Sequence, residues 1–365
     1  MRRPLAPIWL ATPSRFAALS SSAARIALAA AVLLLLACWT ALDLPAGPPR
    51  GDGPGDVVLY GAIVDGVRHG GNYYAVAADA LRAGDYPLRP FVTFRLPTLA
   101  VVQAALPPWL TPILLGVLAT AVLIAWYARL SETLRRAPPR IALLLLIAGG
   151  LLVYAQPALA AFHELWAGLL VALGLAIRRP GRWVEPAALA LAAVLIRETA
   201  ALYVVVMAAL ALAEGQRREA AAFAATLGIL AVALSLHAHA VAAVLRPLDA
   251  GSPGWAGMLG FGFFVRAAMT STALAMFPGP IAAPLVALAL IGWASWRDPL
   301  ALRVAATLAA FVALLALFGR LDTFYWGLMI APTLLVGLAF APDALRDLVA
   351  GARDRRRITV RRRVA

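Results

Sequence analysis

Runs of apolar residues separated by short arginine-bearing turns fill most of this 365-residue chain. They fall at about 23–44, 98–128, 141–156, 158–177, 184–197, 199–214, 220–245, 280–296, 301–319 and 325–341. Roughly twenty apolar residues in helical form cross about 30 Å of hydrocarbon. Inside lipid every backbone N–H and C=O must be paired internally, which a helix achieves. The pattern predicts an all-α polytopic membrane protein with about ten transmembrane helices, within a range of about 9–11. Pro107-Pro108 lies early in the second run, whose start can therefore form a separate interfacial turn. The runs at 184–197 and 199–214 are short and read as a hairpin of half-length helices meeting near Arg197-Glu198. Residues 260–278 are apolar but hold Arg266 and small polar residues. They read as an interfacial or re-entrant helix, with an eleventh span as the alternative.

One long polar segment, 45–97, breaks the pattern and follows the first run directly. Pro45 to Gly55 is rich in proline and glycine and is expected to be irregular. Asp56 then precedes Val57-Val58-Leu59-Tyr60, and apolar positions continue at Ile63, Val64 and Val67. This is helical periodicity with Asp56 as the expected N-cap. Gly70-Gly71 ends that helix, and Asn72 caps a second one, Tyr73 to Ala83, closed by Gly84. Its apolar face is Tyr74, Ala77, Ala78 and Leu81, with Asp79 and Arg82 on the polar side. The segment thus predicts two amphipathic helices lying on the outer membrane surface.

Composition excludes a soluble domain, because 63% of residues are hydrophobic and only 14% are charged. A formal charge of +14 would suggest nucleic acid in a soluble protein. Here the basic residues sit at the ends of apolar runs, so topology explains them and no nucleic-acid partner is expected. All 32 are arginine, which fits a GC-rich bacterial genome. Placing Arg129, Arg135, Arg136, Arg140, Arg178, Arg179, Arg182, Arg217, Arg218, Arg297 and Arg303 on the side of the N-terminal residues and of the tail from Arg346 puts 23 arginines there and nine opposite. The expected location is the bacterial inner (plasma) membrane, multi-pass, with both termini cytoplasmic. The chain divides into one membrane domain, 1–345, and a basic cytoplasmic tail, 346–365. Arg353 to Arg363 reads as a topology anchor, with contact to anionic lipid as the alternative. The single cysteine, Cys38, excludes a disulfide framework. Leu35-Leu36-Ala37-Cys38 loosely resembles a lipoprotein cleavage box, but the long leader and the many later runs favour an uncleaved first helix.

This topology puts His69, His163, His237 and His239 at the outer face, with His163-Glu164, Arg197-Glu198 and Arg320/Asp322 at outer helix ends. Ionisable groups at membrane depth cost roughly 2.5 to 3.5 kcal/mol each, so they face a cavity or a partner. Several helix ends supplying such groups to one face predict an enclosed polar site. Each also has a simpler role: an ion pair at a helix break for Arg197-Glu198, a cap for His163, loop solvation for Arg320 and Asp322. His237 and His239 point to different sides of a helix and read as interfacial. No histidine and carboxylate spacing makes a convincing metal site, and no cofactor is assigned, with a divalent metal left open as the alternative.

Four motifs in the long segment carry a family resemblance. Asp56-x-x-x-Tyr60, Gly70-x-x-Tyr73-Tyr74, Gly84-Asp85-Tyr86-Pro87 and Arg95-x-Pro97 together resemble the first external loop of GT-C membrane glycosyltransferases. The likeness is closest to the polyprenyl-phosphate-mannose-dependent bacterial branch. The motifs cover about forty residues, and the rest agrees in span count and topology only. An Asp-Glu doublet of several GT-C branches is absent, with Gly70-Gly71 near its place. The resemblance implies a catalytic acid on this loop and a sugar donor on a polyprenyl phosphate entering from the bilayer. The acceptor would be a hydroxyl on a glycan, lipid or protein.

The residue types suit that chemistry. A carboxylate can deprotonate the acceptor as general base, and arginines can bind the phosphate bidentately. Tyrosines offer a sugar ring an apolar face and a polar tip. Asp56 is the first choice for the base, with an N-cap role as its alternative, and Asp65 is the second. Arg95 and Arg197 are the expected phosphate ligands, and Tyr60, Tyr73, Tyr74, His163, Glu164 and Arg320 further substrate contacts. Two other classes remain open, a transporter or flippase of a lipid-linked or amphipathic solute and a surface-polysaccharide polymerase or ligase. The first predicts paired broken spans in related halves, and the second a large loop late in the chain.

Overall fold

The computed structural model describes residues 6–45, 55–134 and 136–354. Among these the chain is helical throughout, with three isolated backbone bridges and no strand. In chain order the helices are α1 (Ser21–Ala37), α2 (Asp56–Arg68), α3 (Tyr73–Ala83), α4 (Thr98–Ala105), α5 (Leu110–Ser131) and α6 (Ala137–Gly150). Next come α7 (His163–Ile177), α8 (Val184–Ile196), α9 (Ala201–Ala213), α10 (Arg217–Ala242) and α11 (Gly260–Thr270). Last are α12 (Gly279–Ser295), α13 (Pro299–Phe318), α14 (Ala331–Leu334) and α15 (Ala341–Ala352).

Four stretches are long and apolar enough to cross a membrane: Ser21–Ala41, Leu110–Ser131, Arg217–Ala242 and Pro299–Phe318. Leu321–Met329 and Ala331–Ala339 make a fifth if taken together, bent by 53°. The other apolar helices, α6, α7, α8, α9 and α12 among them, fall short of that length. Ile26, Val117, Ile124, Leu145, Leu212 and Val232 point outward from the bundle. An apolar exterior of this extent belongs in lipid rather than water.

The run at 98–128 is two helices. Each proline lacks an N–H, and Pro108 bars its predecessor from helical geometry, so α4 ends at Ala105 and α5 begins at Leu110. Residues 260–278 form neither a surface helix nor a span. α11 is eleven residues long and buries Phe263, Phe264, Val265, Ala267 and Ala268 inside the bundle. Its Arg266 donates to the carbonyls of Ala41 (2.9 Å), Leu44 and Pro45 (2.6 Å), closing the C-terminal end of the first span.

The polar groups separate into two ends. At one, Arg178 pairs with Glu219 (2.7 Å), Arg303 with Glu214 (2.7 Å) and Arg129 with Asp298 (3.3 Å). There Asp343 of α15 accepts the amides of Ile8, Trp9 and Leu10, and Asp347 accepts from Ser14. Arg346 pairs with both acids, so the boundary expected at 345/346 falls inside a packed helix. Most of the basic run Arg353 to Arg363 lies outside the described residues. The opposite end gathers α2, α3, the starts of α4 and α7, and the ends of α8, α10 and α13.

Candidate functional site

The first loop has its own small core. Leu59, Ile63 and Val64 of α2 and Tyr73, Ala77, Ala78 and Leu81 of α3 close on Leu88, Phe94, Ala100 and Val241. Both apolar faces therefore point into the protein, not onto a membrane surface as the sequence suggests. An i, i+4 row makes Tyr73, not Tyr74, the buried tyrosine of α3. Asn72 caps α3 as expected, accepting from the amides of Tyr74 (3.0 Å) and Ala75 (3.3 Å). Arg82 grips Asp249 through Nε and Nη2, each at 2.8 Å, and so ties α3 to the segment after α10. The Leu88 amide adds a bond to the Ala250 carbonyl (2.9 Å).

Asp56 is not the N-cap. Gly55 takes the extended cap conformation, and Asp56 begins the helix with its carboxylate turned to accept from the Tyr86 hydroxyl at 2.9 Å. It lines a cavity of about 1170 Å³. Of the residues expected to form the site, Asp56, Tyr60, Tyr73, Arg95, His163 and Arg320 line this cavity. Tyr86, Gln103, Trp255, Arg266 and Tyr325 join them. Tyr86 stood in the sequence motifs, but nothing local marked Gln103 or Trp255. They arrive from α4 and from the segment after α10 through tertiary packing alone.

The remaining residues lie elsewhere. Asp65 is exposed outside the cavity lining, beside Arg68 (3.7 Å) and His69 (3.6 Å). Tyr74 turns its hydroxyl to Nδ1 of His237 at 3.1 Å. That histidine is buried rather than interfacial, while His239 is exposed on another side of α10. Glu164 and Arg197 stand behind the cavity wall, with Arg197 Nε 2.7 Å from Glu164 Oε1. The pair meets at ion-pair distance without hydrogen-bond alignment. Arg197 also pairs with Glu198 and lies 5.6 Å over the Trp326 ring.

Arg95 faces the cavity from between these layers. Its Nε donates to the Tyr60 hydroxyl (3.1 Å), and its carbonyl accepts from the Tyr73 hydroxyl (2.6 Å). Burial pushes the Tyr60 phenol up, so it stays protonated and keeps a hydrogen to donate. Burial works against the Arg95 charge, yet the Glu164 carboxylate beside it carries its pKa upward. His163 sits edge-on to the Tyr60 ring at 5.2 Å, with neither ring nitrogen hydrogen-bonded among the described residues. Arg320 is held by Asp322 (2.7 Å) and by the Gly254 carbonyl (3.3 Å). Among the described residues no three His, Cys, Asp or Glu side chains converge as a metal site would require. The arrangement offers a cation and a carboxylate on one aromatic-lined chamber. Comparison with protein-family models, with curated proteins and with solved structures found no match to this chain.

Proposed function

We propose that the protein is an integral membrane glycosyltransferase of the GT-C type, moving a sugar from a polyprenyl-phosphate donor to an acceptor hydroxyl at the extracytoplasmic face. The observation that carries this reading is the cavity of about 1170 Å³ that Asp56, Arg95 and Arg320 line together with tyrosine and tryptophan rings. In this reading the short helices complete about ten spans in a bacterial inner membrane. The 23 arginines on the side of both termini are cytoplasmic. The acceptor oxygen attacks the anomeric carbon of the donor while the Asp56 carboxylate takes its proton. The bond from that carbon to the phosphate oxygen breaks, and polyprenyl phosphate departs with the electron pair. Arg95 offers guanidinium hydrogens to the charge that develops there, with Arg320 as a second donor. The acceptor is a glycan, a lipid or a protein hydroxyl.

One observation favours a transporter of a lipid-linked solute instead. The 53° bend after Met329 adds a second interrupted helix to the break at Arg197, as paired broken spans would. Reconstituted protein separates the two. With polyprenyl-phosphate-mannose and a panel of hydroxyl acceptors, sugar transfer is expected. Transfer should fall by ~100-fold in Asp56→Asn and stay within about twofold in Asp65→Asn. Undiminished transfer in Asp56→Asn would remove the base. Movement of intact donor across the bilayer, with no transfer, would establish the transporter.

A further inference from the structure

Four alternating charges stand in series: Arg95 at the cavity wall, Glu164 and Arg197 buried behind it, and Glu198, 23% exposed, beyond them. Only Arg95 lines the cavity. Its side chain is 12% exposed, against 0% for Glu164 and 1% for Arg197. One carboxylate oxygen, Oε1 of Glu164, faces both arginines, 2.7 Å from Arg197 Nε but 3.6 Å from Arg95 Nη2. The attraction between opposite charges grows as they approach, and inside a protein it is weakly screened. Glu164 is therefore committed to Arg197 and holds Arg95 only loosely. Arg197 is itself fixed by Glu198 and by the Trp326 ring. Arg95 is steadied through Nε by the Tyr60 hydroxyl, which leaves its Nη groups for a ligand.

We propose that Arg197, read from the sequence as a phosphate ligand, is a positioning residue that keeps Glu164 away from Arg95. It thereby preserves Arg95 as an anion site for a phosphate group in the cavity. This rests on Arg95 as the phosphate ligand of the proposed function, and it adds the device that keeps that ligand open. Without the Arg197 charge, a buried carboxylate stripped of its partner takes the nearest remaining cation. That cation is Arg95, and the phosphate then competes with a carboxylate a rotamer change away.

Binding can be measured directly on the full chain in detergent, by titrating farnesyl phosphate and, separately, inorganic phosphate against intrinsic tryptophan fluorescence. Neither titration requires sugar transfer. Arg197→Gln is expected to weaken farnesyl phosphate binding at least tenfold. Arg197→Gln with Glu164→Gln should restore it to within about threefold of the wild type, because the competing carboxylate is gone. Arg197→Lys keeps the charge and should bind like the wild type. Size-exclusion profiles and thermal melting identify variants that fold.

A purely structural ion pair would leave the double variant no better than the single one, and that result overturns the proposal. So does wild-type affinity in Arg197→Gln, or a wild type whose phosphate binding survives Arg95→Ala. If Arg197→Gln does not fold, Glu164→Gln decides alone. It should bind farnesyl phosphate at least as tightly as the wild type, and a tenfold loss sinks the idea. Inorganic phosphate bound as tightly as farnesyl phosphate assigns the site to free phosphate, and a preference for the latter assigns it to a lipid phosphate. Either result, lost in Arg197→Gln and recovered in the double variant, supports the anion site. Tight binding without sugar transfer in any acceptor assay would defeat the transferase reading and leave this one standing.

Discussion

Asp249 shows how one side chain fixes the loop that builds the cavity. The Arg82 guanidinium and the Arg246 amide hold its carboxyl well below the ordinary carboxylate range. A carboxylate with a lowered native pKa contributes fully above its unfolded value of about 3.9, and the contribution disappears only as pH falls through the lower native value. The loop should therefore stay docked across the neutral and mildly acidic range. Hydrogen exchange at the Leu88 and Arg89 amides, corrected for intrinsic rates, is expected to show equal protection at about pH 7 and about pH 5. Asp249→Asn should lose roughly tenfold in protection at both values, since a charge-assisted bidentate contact is gone. Protection that falls in the wild type between those two values would contradict this account. At this scale the sequence motifs name Asp56, Tyr60, Tyr73 and Arg95, which share the cavity lining. Asp65 and Tyr74 lie off it, because a helical position names a face and not the neighbour that face will meet.

Among the elements, close approach is the rule wherever two glycines meet. α12 lies against residues 335–339 so tightly that a Cβ on Gly292 would fall 1.9 Å from the Gly337 carbonyl oxygen. Backbone cannot yield as a flexible side chain does, so Gly292→Ala should destabilise by about 1–3 kcal/mol. Gly228 in α10 has open space around its Cβ position, and Gly228→Ala is the matched control, neutral or slightly stabilising. Thermal melting in detergent compares them, and equal melting temperatures would disprove the tight contact. The caps and breaks of helices were legible for a related reason. Asn72, Gly70 and Pro107-Pro108 act on the backbone within a few residues of themselves. Asp56 was misread as a cap because Gly55 fills that role as well, and the Tyr86 hydroxyl takes the carboxylate.

For the whole molecule, the two polar ends suit the orientation that the proposed function requires. Leu248 stands almost fully exposed at the cavity end, and Arg218 is exposed at the arginine-rich end. In a Cys38→Ser background, Leu248→Cys should react with an impermeant thiol reagent from outside the cell. Arg218→Cys should react only after the inner face is opened. Labelling of both from one side would refute the about ten-span topology. That four or five helices have full crossing length while shorter ones pack among them has a simple cause. Helices buried by neighbours need not satisfy lipid along their whole length.

Unaided, the sequence determined that this chain is helical, rich in membrane-length apolar segments, and polar at clustered helix ends. Those properties follow from residue-by-residue hydropathy and from backbone chemistry that acts locally. Tertiary structure alone decided which polar groups share a chamber. It put Asp56 with Arg95 and Arg320, moved Asp65 outside, and set Arg197 against Glu164, off the cavity lining. Contacts between residues 35 and 167 positions apart, Arg95 with Tyr60 and Arg82 with Asp249, leave no local trace. They exist only once the helices have packed.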